Sequence, residues 1–182
     1  MPEWVVLLFA SVWASDNPID LARNTKAHGF HIDIIDRPDS LKPEIISHLK
    51  EFGKSIQVHL MGGPEMLPEI LHHRPDIVFV HPKWCDPSLI RGTKVGVVWD
   101  DDSSTDHFPQ ADEVLFMTVH PGSCGQPMIR SRIPEIRRIM PNKPCWIDGG
   151  VNRHTIQLLQ NLPIAGIIAG NALPDLEKLT FS

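Results

Sequence analysis

The sequence predicts a compact (β/α)8 barrel with short loops and a curtailed last helix, formed by residues 1–182 as one domain. Three observations point there. Apolar runs of strand length recur eight times along the chain. Helix-patterned segments, several ending in glycine or stopped by proline, separate most of them. The length of 182 residues suits one domain and leaves no room for a second sizeable one. Strand then helix, repeated, gives a parallel sheet, and eight repeats favour closure over the alternative, an open doubly wound sheet. A full barrel usually takes about 250 residues, so the loops here must be tight.

Taken in order, Trp4–Ser11 is apolar up to its terminal serine, as a strand covered on both faces should be. The apolar stretch from Trp4 to Ala14 that contains it is too short to span a bilayer and lacks the basic flank of a secretion signal. Asn17–Gly29 is helix-like, and Phe30–Asp36 is the second strand. Ser40–Gly53 (helix), Ser55–Met61 (strand), Pro64–Arg74 (helix) and Asp76–Pro82 (strand) continue the alternation. The next links, Asp86–Gly92 and Ser103–Ala111, flank the strand Lys94–Asp100 and hold barely two helical turns each. Glu113–His120, Pro144–Gly150 and Ala165–Gly170 are the last three strands, separated by helical stretches at Gln126–Met140 and Asn152–Leu162. After the eighth strand little chain remains before Ser182, which curtails the final helix.

Composition narrows the function. With 42% hydrophobic and 21% charged residues the chain is neither disordered nor fibrous. Its net charge of -5 gives no electrostatic attraction to nucleic acid or to an anionic membrane, so neither is expected as a partner. Cys85, Cys124 and Cys145 are odd in number and widely spaced, without a CxxC pair, which fits reduced thiols in a cytoplasmic protein.

In a barrel, catalytic groups come from the C-terminal ends of several strands. In the second strand His31 and Asp33 share one face, while Ile32 and Ile34 take the other. The third strand delivers His59 near its end, and the seventh delivers Asp148. Each alone could simply hydrogen-bond a loop. Together, two imidazoles and two carboxylates form a mixed N/O site suited to one divalent ion such as Zn, Fe(II), Mn or Co. His81 and Ser11 end the fourth and first strands as weaker mouth-lining candidates, and His72 and His73 fall on a solvated helix face.

Glycines give a second signal. Gly149-Gly150 precedes a helical stretch, Gly170-Asn171 follows strand eight, and Gly122-Ser123-Cys124-Gly125 follows strand six. Small residues let backbone N–H groups approach an anion, and the loops after strands seven and eight are where such barrels hold phosphate. Met61 and Met117 end strands three and six, either as core filling or as a polarizable lining for a flat intermediate.

These pieces, His31-Ile32-Asp33, Val58-His59-Leu60-Met61, Met117 to Gly122 with Gly125-Gln126, Ile147-Asp148-Gly149-Gly150-Val151 and Ala169-Gly170-Asn171-Ala172, lie in the order found in the ribulose-phosphate 3-epimerase family, which the chain resembles over nearly its whole length. The resemblance implies a (β/α)8 barrel in which His31, Asp33, His59 and Asp148 hold one divalent metal. It implies that Asp33 and Asp148 double as the acid/base pair for epimerisation at C3 of a ketose phosphate. Ser11 resembles the family's substrate-contacting serine and the glycine loops resemble its phosphate grip; with them His59, Met61, Met117, Ser123, Cys124 and Asn171 are expected to contact substrate. The chemistry is consistent with this: inverting a stereocentre without an organic cofactor takes a base on one face and an acid on the other, and a Lewis acid stabilises the enediolate.

The chain also departs from the family. Ile35 replaces a Met, Arg37-Pro38-Asp39 replaces a Phe-Val-Pro loop that folds over substrate, Cys124 interrupts a glycine run, His120 stands for Asn or Glu, and Asn171 replaces a common serine. The expected ligand is a small phosphorylated ketose, with D-ribulose 5-phosphate and D-xylulose 5-phosphate as the default pair and D-allulose 6-phosphate as the alternative. A homo-oligomer is expected, in which a partner subunit covers the last strand. Two further alternatives are a non-catalytic barrel binding metal or sugar phosphate and a metallohydrolase; the latter ranks last, because the first strand carries no histidine.

Overall fold

Eight strands pair in parallel among the described residues, each with its neighbour in the chain, and the first closes on the last to make a barrel. They are β1 (Leu7–Ser11), β2 (Gly29–Ile35), β3 (Ser55–Met61), β4 (Ile77–Val80), β5 (Lys94–Trp99), β6 (Glu113–Met117), β7 (Cys145–Asp148) and β8 (Gly166–Ala169). This computed structural model describes residues 6–100, 103–104, 110–139 and 143–180. Trp4 and Val5 of the first expected strand, most of the link expected at Ser103–Ala111, Met140 and the last two residues lie outside them.

Alternation along the strands sorts the apolar side chains into two bodies. Leu8, Ala10, Ile32, Ile34, Val58 and Leu60 face outward and pack with helix residues such as Ile46, Leu49, Ile70 and Leu176. Each such fully buried side chain contributes about 1.5–3 kcal/mol relative to exposure. Phe9, Phe79, Val98, Leu115, Trp146 and Ile168 form a separate cluster. Within it Phe9 and Trp146 meet edge to face with centroids 4.6 Å apart. A Cβ on Gly166 would lie 2.2 Å from the Trp146 ring, so only glycine lets the indole occupy the barrel floor.

The helices are α1 (Pro18–Asn24), α2 (Glu44–Lys50), α3 (Leu67–His72), α4 (Ile133–Ile139), α5 (Ile156–Leu159) and α6 (Leu173–Thr180). The first five are shorter than the sequence segments suggested, and side chains that compete for backbone groups explain why, whereas α6, expected to be curtailed, is with 8 residues the longest among the described residues. After α1 the chain turns extended, because Thr25 Oγ1 and the Lys26 N–H both bond Glu177. Ser40 Oγ accepts the Ile35 N–H at 2.8 Å, keeping that residue in a loop ahead of α2. Gln126 donates to the carbonyls of His120 (2.7 Å) and Ser123 (2.9 Å), closing the loop after β6, so helical structure begins only at Arg130. Asn152 Oδ1 accepts from the N–H groups of His154 and Thr155 at 2.9 and 3.1 Å, a turn that delays α5 to Ile156. The Gly149-Gly150 pair therefore does not open directly into a helix, contrary to expectation.

Between β4 and β5 there is only a 3-10 turn at Pro87–Leu89, with the Asp86 carboxylate accepting the Ser88 N–H at 2.9 Å. This agrees with the brevity of the expected Asp86–Gly92 link. Among the described residues no helix is long and apolar enough to cross a membrane.

Candidate active site

Register brings the polar strand ends together. Asp33 on β2 is the pairing partner of His59 on β3, Ser11 of His31, and Met117 of Asp148. Ligand atoms of His31, Asp33, His59 and Asp148 all lie within 4.8 Å of one another. His31 Nε2 is 3.7 Å from Asp33 Oδ1 and 3.7 Å from Asp148 Oδ2, while His59 Nδ1 is 3.0 Å from Asp33 Oδ1. Both imidazoles are fully buried.

The set fits a cation. His31 Nδ1 lies 3.3 Å from Gln57 Oε1, an acceptor, so this nitrogen carries the ring hydrogen when the imidazole is neutral and Nε2 keeps a lone pair. That Nε2 is the single buried side-chain nitrogen or oxygen without a hydrogen-bond partner among the described residues. Burying a lone pair between two carboxylates is costly unless a positive charge joins them.

The titration of the four groups shows the same demand. Burial lowers the His31 pKa, but the Asp33 and Asp148 carboxylates outweigh it and raise it to about 9. Burial pushes Asp33 up, yet His31 and His59 hold it below the ordinary carboxylate range. For Asp148 burial dominates, and with the Asp33 charge it raises the pKa above the ordinary value despite His31. His59 is lowered, chiefly by burial. One carboxylate is thus biased to the ionised form and its neighbour toward carrying a proton.

Above the quartet opens a cavity of about 210 Å3. Every residue expected to contact substrate lines it: Ser11, His59, Met61, Met117, Gly122, Ser123, Cys124, Gly125, Gly149, Gly150, Gly170 and Asn171. Asp33 and Asp148 form part of its wall, whereas His31 lies beneath it, fully covered. A Cβ on Gly150, whose φ is +64°, would come within 2.3 Å of the Met128 backbone nitrogen, so this tight turn requires glycine.

His81 departs from expectation. Instead of lining the mouth it is buried behind His59, with the two Nε2 atoms 2.9 Å apart and its Nδ1 turned to Asp100. His73 bonds Ser47 across helices α3 and α2 and takes no part. Trp13 and Asn152 also line the cavity without having been expected there, since polar strand ends do not point to loop residues, and Gln126, part of the motif after β6, lines it as well. Gln57 was missed too, although its polar side chain on an apolar strand, in phase with His59, was a visible signal.

Fold and candidate site together are those of a (β/α)8 barrel with its polar groups gathered at the C-terminal mouth of the strands, the place where enzymes of this fold carry their chemistry. Residues 5–173 match the model of the ribulose-phosphate 3 epimerase family. The ribulose-phosphate 3-epimerase of Bacillus subtilis is 30% identical, with 92% of this chain and 89% of that protein covered. The protein of the same name from Escherichia coli is 26% identical over 82% and 79%. This chain therefore belongs to the ribulose-phosphate 3-epimerase family and is an epimerase of the isomerase class. Among solved structures, phosphoribosyl anthranilate isomerase from Thermococcus kodakaraensis superposes with a TM-score of 0.68 at 15% identity, covering 97% of each chain. KGPDC from Streptococcus mutans gives 0.69 at 11% identity, covering 98% of this chain and 100% of that one. At these identities the likeness concerns the barrel alone.

Proposed function

We propose that the protein interconverts D-ribulose 5-phosphate and D-xylulose 5-phosphate by inverting C3, with Asp33 and Asp148 as the acid/base pair. The observation that carries this reading is the pair of carboxylates in the cavity wall, on β2 and β7, with pKa values driven apart by their surroundings. Asp33, hydrogen-bonded to His59, is the group that accepts the C3 proton, and Asp148, on β7 at the other side of the cavity wall, is the group that returns one to the opposite face. In the reverse direction the roles exchange.

His31, Asp33, His59 and Asp148 would hold a divalent ion, which when bound supplies Lewis-acid stabilisation of the negative charge that develops as the C3 proton leaves. Zn, Fe(II), Mn and Co all suit this mixed donor set. Met61 and Met117, at the cavity wall, exclude water from the reacting carbon. No Lys or Arg stands among the described residues lining the cavity. The phosphate is therefore held by backbone N–H groups of the loops at Gly122–Gly125, Gly149-Gly150 and Gly170-Asn171 rather than by an ion pair.

The test is conversion of D-ribulose 5-phosphate by protein loaded separately with Zn, Fe(II), Mn and Co, with the product ratio read by proton NMR. Formation of D-xylulose 5-phosphate supports the reading. Conversion of D-allulose 6-phosphate in place of the pentulose would overturn the substrate, and inertness toward both would overturn the reaction.

A further inference from the structure

Behind the quartet runs a file of polar groups that the acid/base reading leaves unused. From His59 Nε2 it passes 2.9 Å to His81 Nε2, with the two rings stacked at a centroid distance of 5.1 Å. From His81 Nδ1 it passes 2.8 Å to Asp100 Oδ2. Ser103 Oγ bonds the other oxygen of Asp100 at 2.9 Å, and Lys83 Nζ lies 3.2 Å from Oδ2. All three members of the file are buried: His59 is 0%, His81 1% and Asp100 4% exposed.

Counting hydrogens determines how this file is wired. Between the Asp33 and Asp100 carboxylates, both acceptors, run three short contacts, and each needs one hydrogen or one cation between its partners. Two neutral imidazoles bring only two hydrogens. With a cation at Asp33 and His59 Nδ1, the count closes in one way. His59 carries its hydrogen on Nε2 and donates to His81 Nε2, and His81 carries its own on Nδ1 and donates to Asp100. The other tautomer of His81 would set its lone pair against the Asp100 carboxylate and its N–H against that of His59. Each is a repulsive contact in a buried, low-dielectric site.

We infer that Asp100, acting through His81, is a positioning residue that fixes the tautomer of His59 with the Nδ1 lone pair turned toward the quartet, completing a carboxylate–histidine–histidine support for a divalent cation. The arrangement extends a familiar device, in which a carboxylate behind a ligating imidazole sets its ring orientation and basicity, by one interposed ring. His31 has a different support, the neutral Gln57 amide, so the two imidazoles of the site are unequally braced. The inference rests on the quartet being a cation site.

The test measures Zn affinity by chelator competition, and the 15N shifts of His59 in the Zn-loaded protein, for the parent, Asp100→Asn, Asp100→Ala and Asp100→Glu. Glu113→Gln is the matched control: Glu113 is a buried carboxylate that accepts from the Trp146 ring at 2.6 Å and pairs with Lys94, far from the quartet's strand ends. Loss of the Asp100 charge should weaken Zn binding about 10–100-fold and disturb the pattern of a protonated Nε2 and a bare Nδ1. Glutamate at position 100 should restore part of the affinity, and Glu113→Gln should leave it unchanged. Parent-like affinity with an unaltered His59 spectrum in Asp100→Asn and Asp100→Ala would overturn the relay while leaving the metal site standing, as would an equal loss in Glu113→Gln. A parent that takes up no Zn would overturn the metal site and the relay with it.

Discussion

Both ends of the barrel interior bury carboxylates among aromatic or imidazole rings, and they treat them in opposite ways. At the floor, Glu113 accepts the Trp146 indole N–H at 2.6 Å and pairs with Lys94 at 2.7 Å, leaving no partner wanting, and Phe9, Phe79 and Leu115 fill the space around it. At the mouth, Asp33 and Asp148 face a cavity and share a buried His31 nitrogen that has no hydrogen-bond partner. A satisfied buried carboxylate asks for nothing more, whereas a buried ring nitrogen left unpaired between two carboxylates stores a demand for a ligand. The same alternation of inward-facing positions thus fills a packed floor at one end and, on the reading proposed above, serves chemistry at the other.

The contrast can be broken by exchange of effects. Asp148→Asn should lower kcat by about 10^2–10^4-fold, the range for a general acid or base, with little change in thermal stability. A variant that melts far earlier yet keeps its turnover would place Asp148 in the structural class. At the floor the expectation inverts: Trp146→Ala removes a packed indole and should cost about 3–5 kcal/mol of stability in denaturant melts, with kcat per folded molecule preserved. Loss of turnover without loss of stability would show that the floor communicates with the site.

A third comparison uses pH. His31 has a folded-state pKa raised from 6.5 to about 9, so its protonation stabilises the cation-free protein fully below pH 6.5, and that contribution is lost as the pH rises through about 9. Melting of metal-stripped protein across this window should therefore show a falling midpoint, and His31→Asn should flatten the curve. A parent curve already flat there would mean the mouth carries no such demand for positive charge. The smallest effect is expected from the thiols. Cys124 is exposed beside the cavity, while Cys85 and Cys145 are buried. A thiol reagent should label one cysteine rapidly in the folded protein, and Cys124→Ser should change KM only a few-fold.

The strands were legible because apolar runs of strand length survive any local competition, and the quartet was legible because β2, β3 and β7 each end an apolar run with a charged or imidazole group. Helix length was not, since single side chains such as Asn152 and Gln126 capture backbone groups and reset where helices begin. The support behind the quartet was also hidden. Gln57, His81 and Asp100 acquire meaning only in the folded barrel, where register sets Gln57 beside His31 and the His81 ring is hydrogen-bonded between His59 and Asp100.

The most direct test of two-carboxylate epimerisation follows the C3 proton of D-ribulose 5-phosphate by NMR in D2O with the metal-loaded protein. Loss of that signal together with growth of deuterated D-xylulose 5-phosphate, both abolished by Asp33→Asn and by Asp148→Asn, is the result expected. Exchange that persists in both variants, or none with any of Zn, Fe(II), Mn or Co, would contradict it.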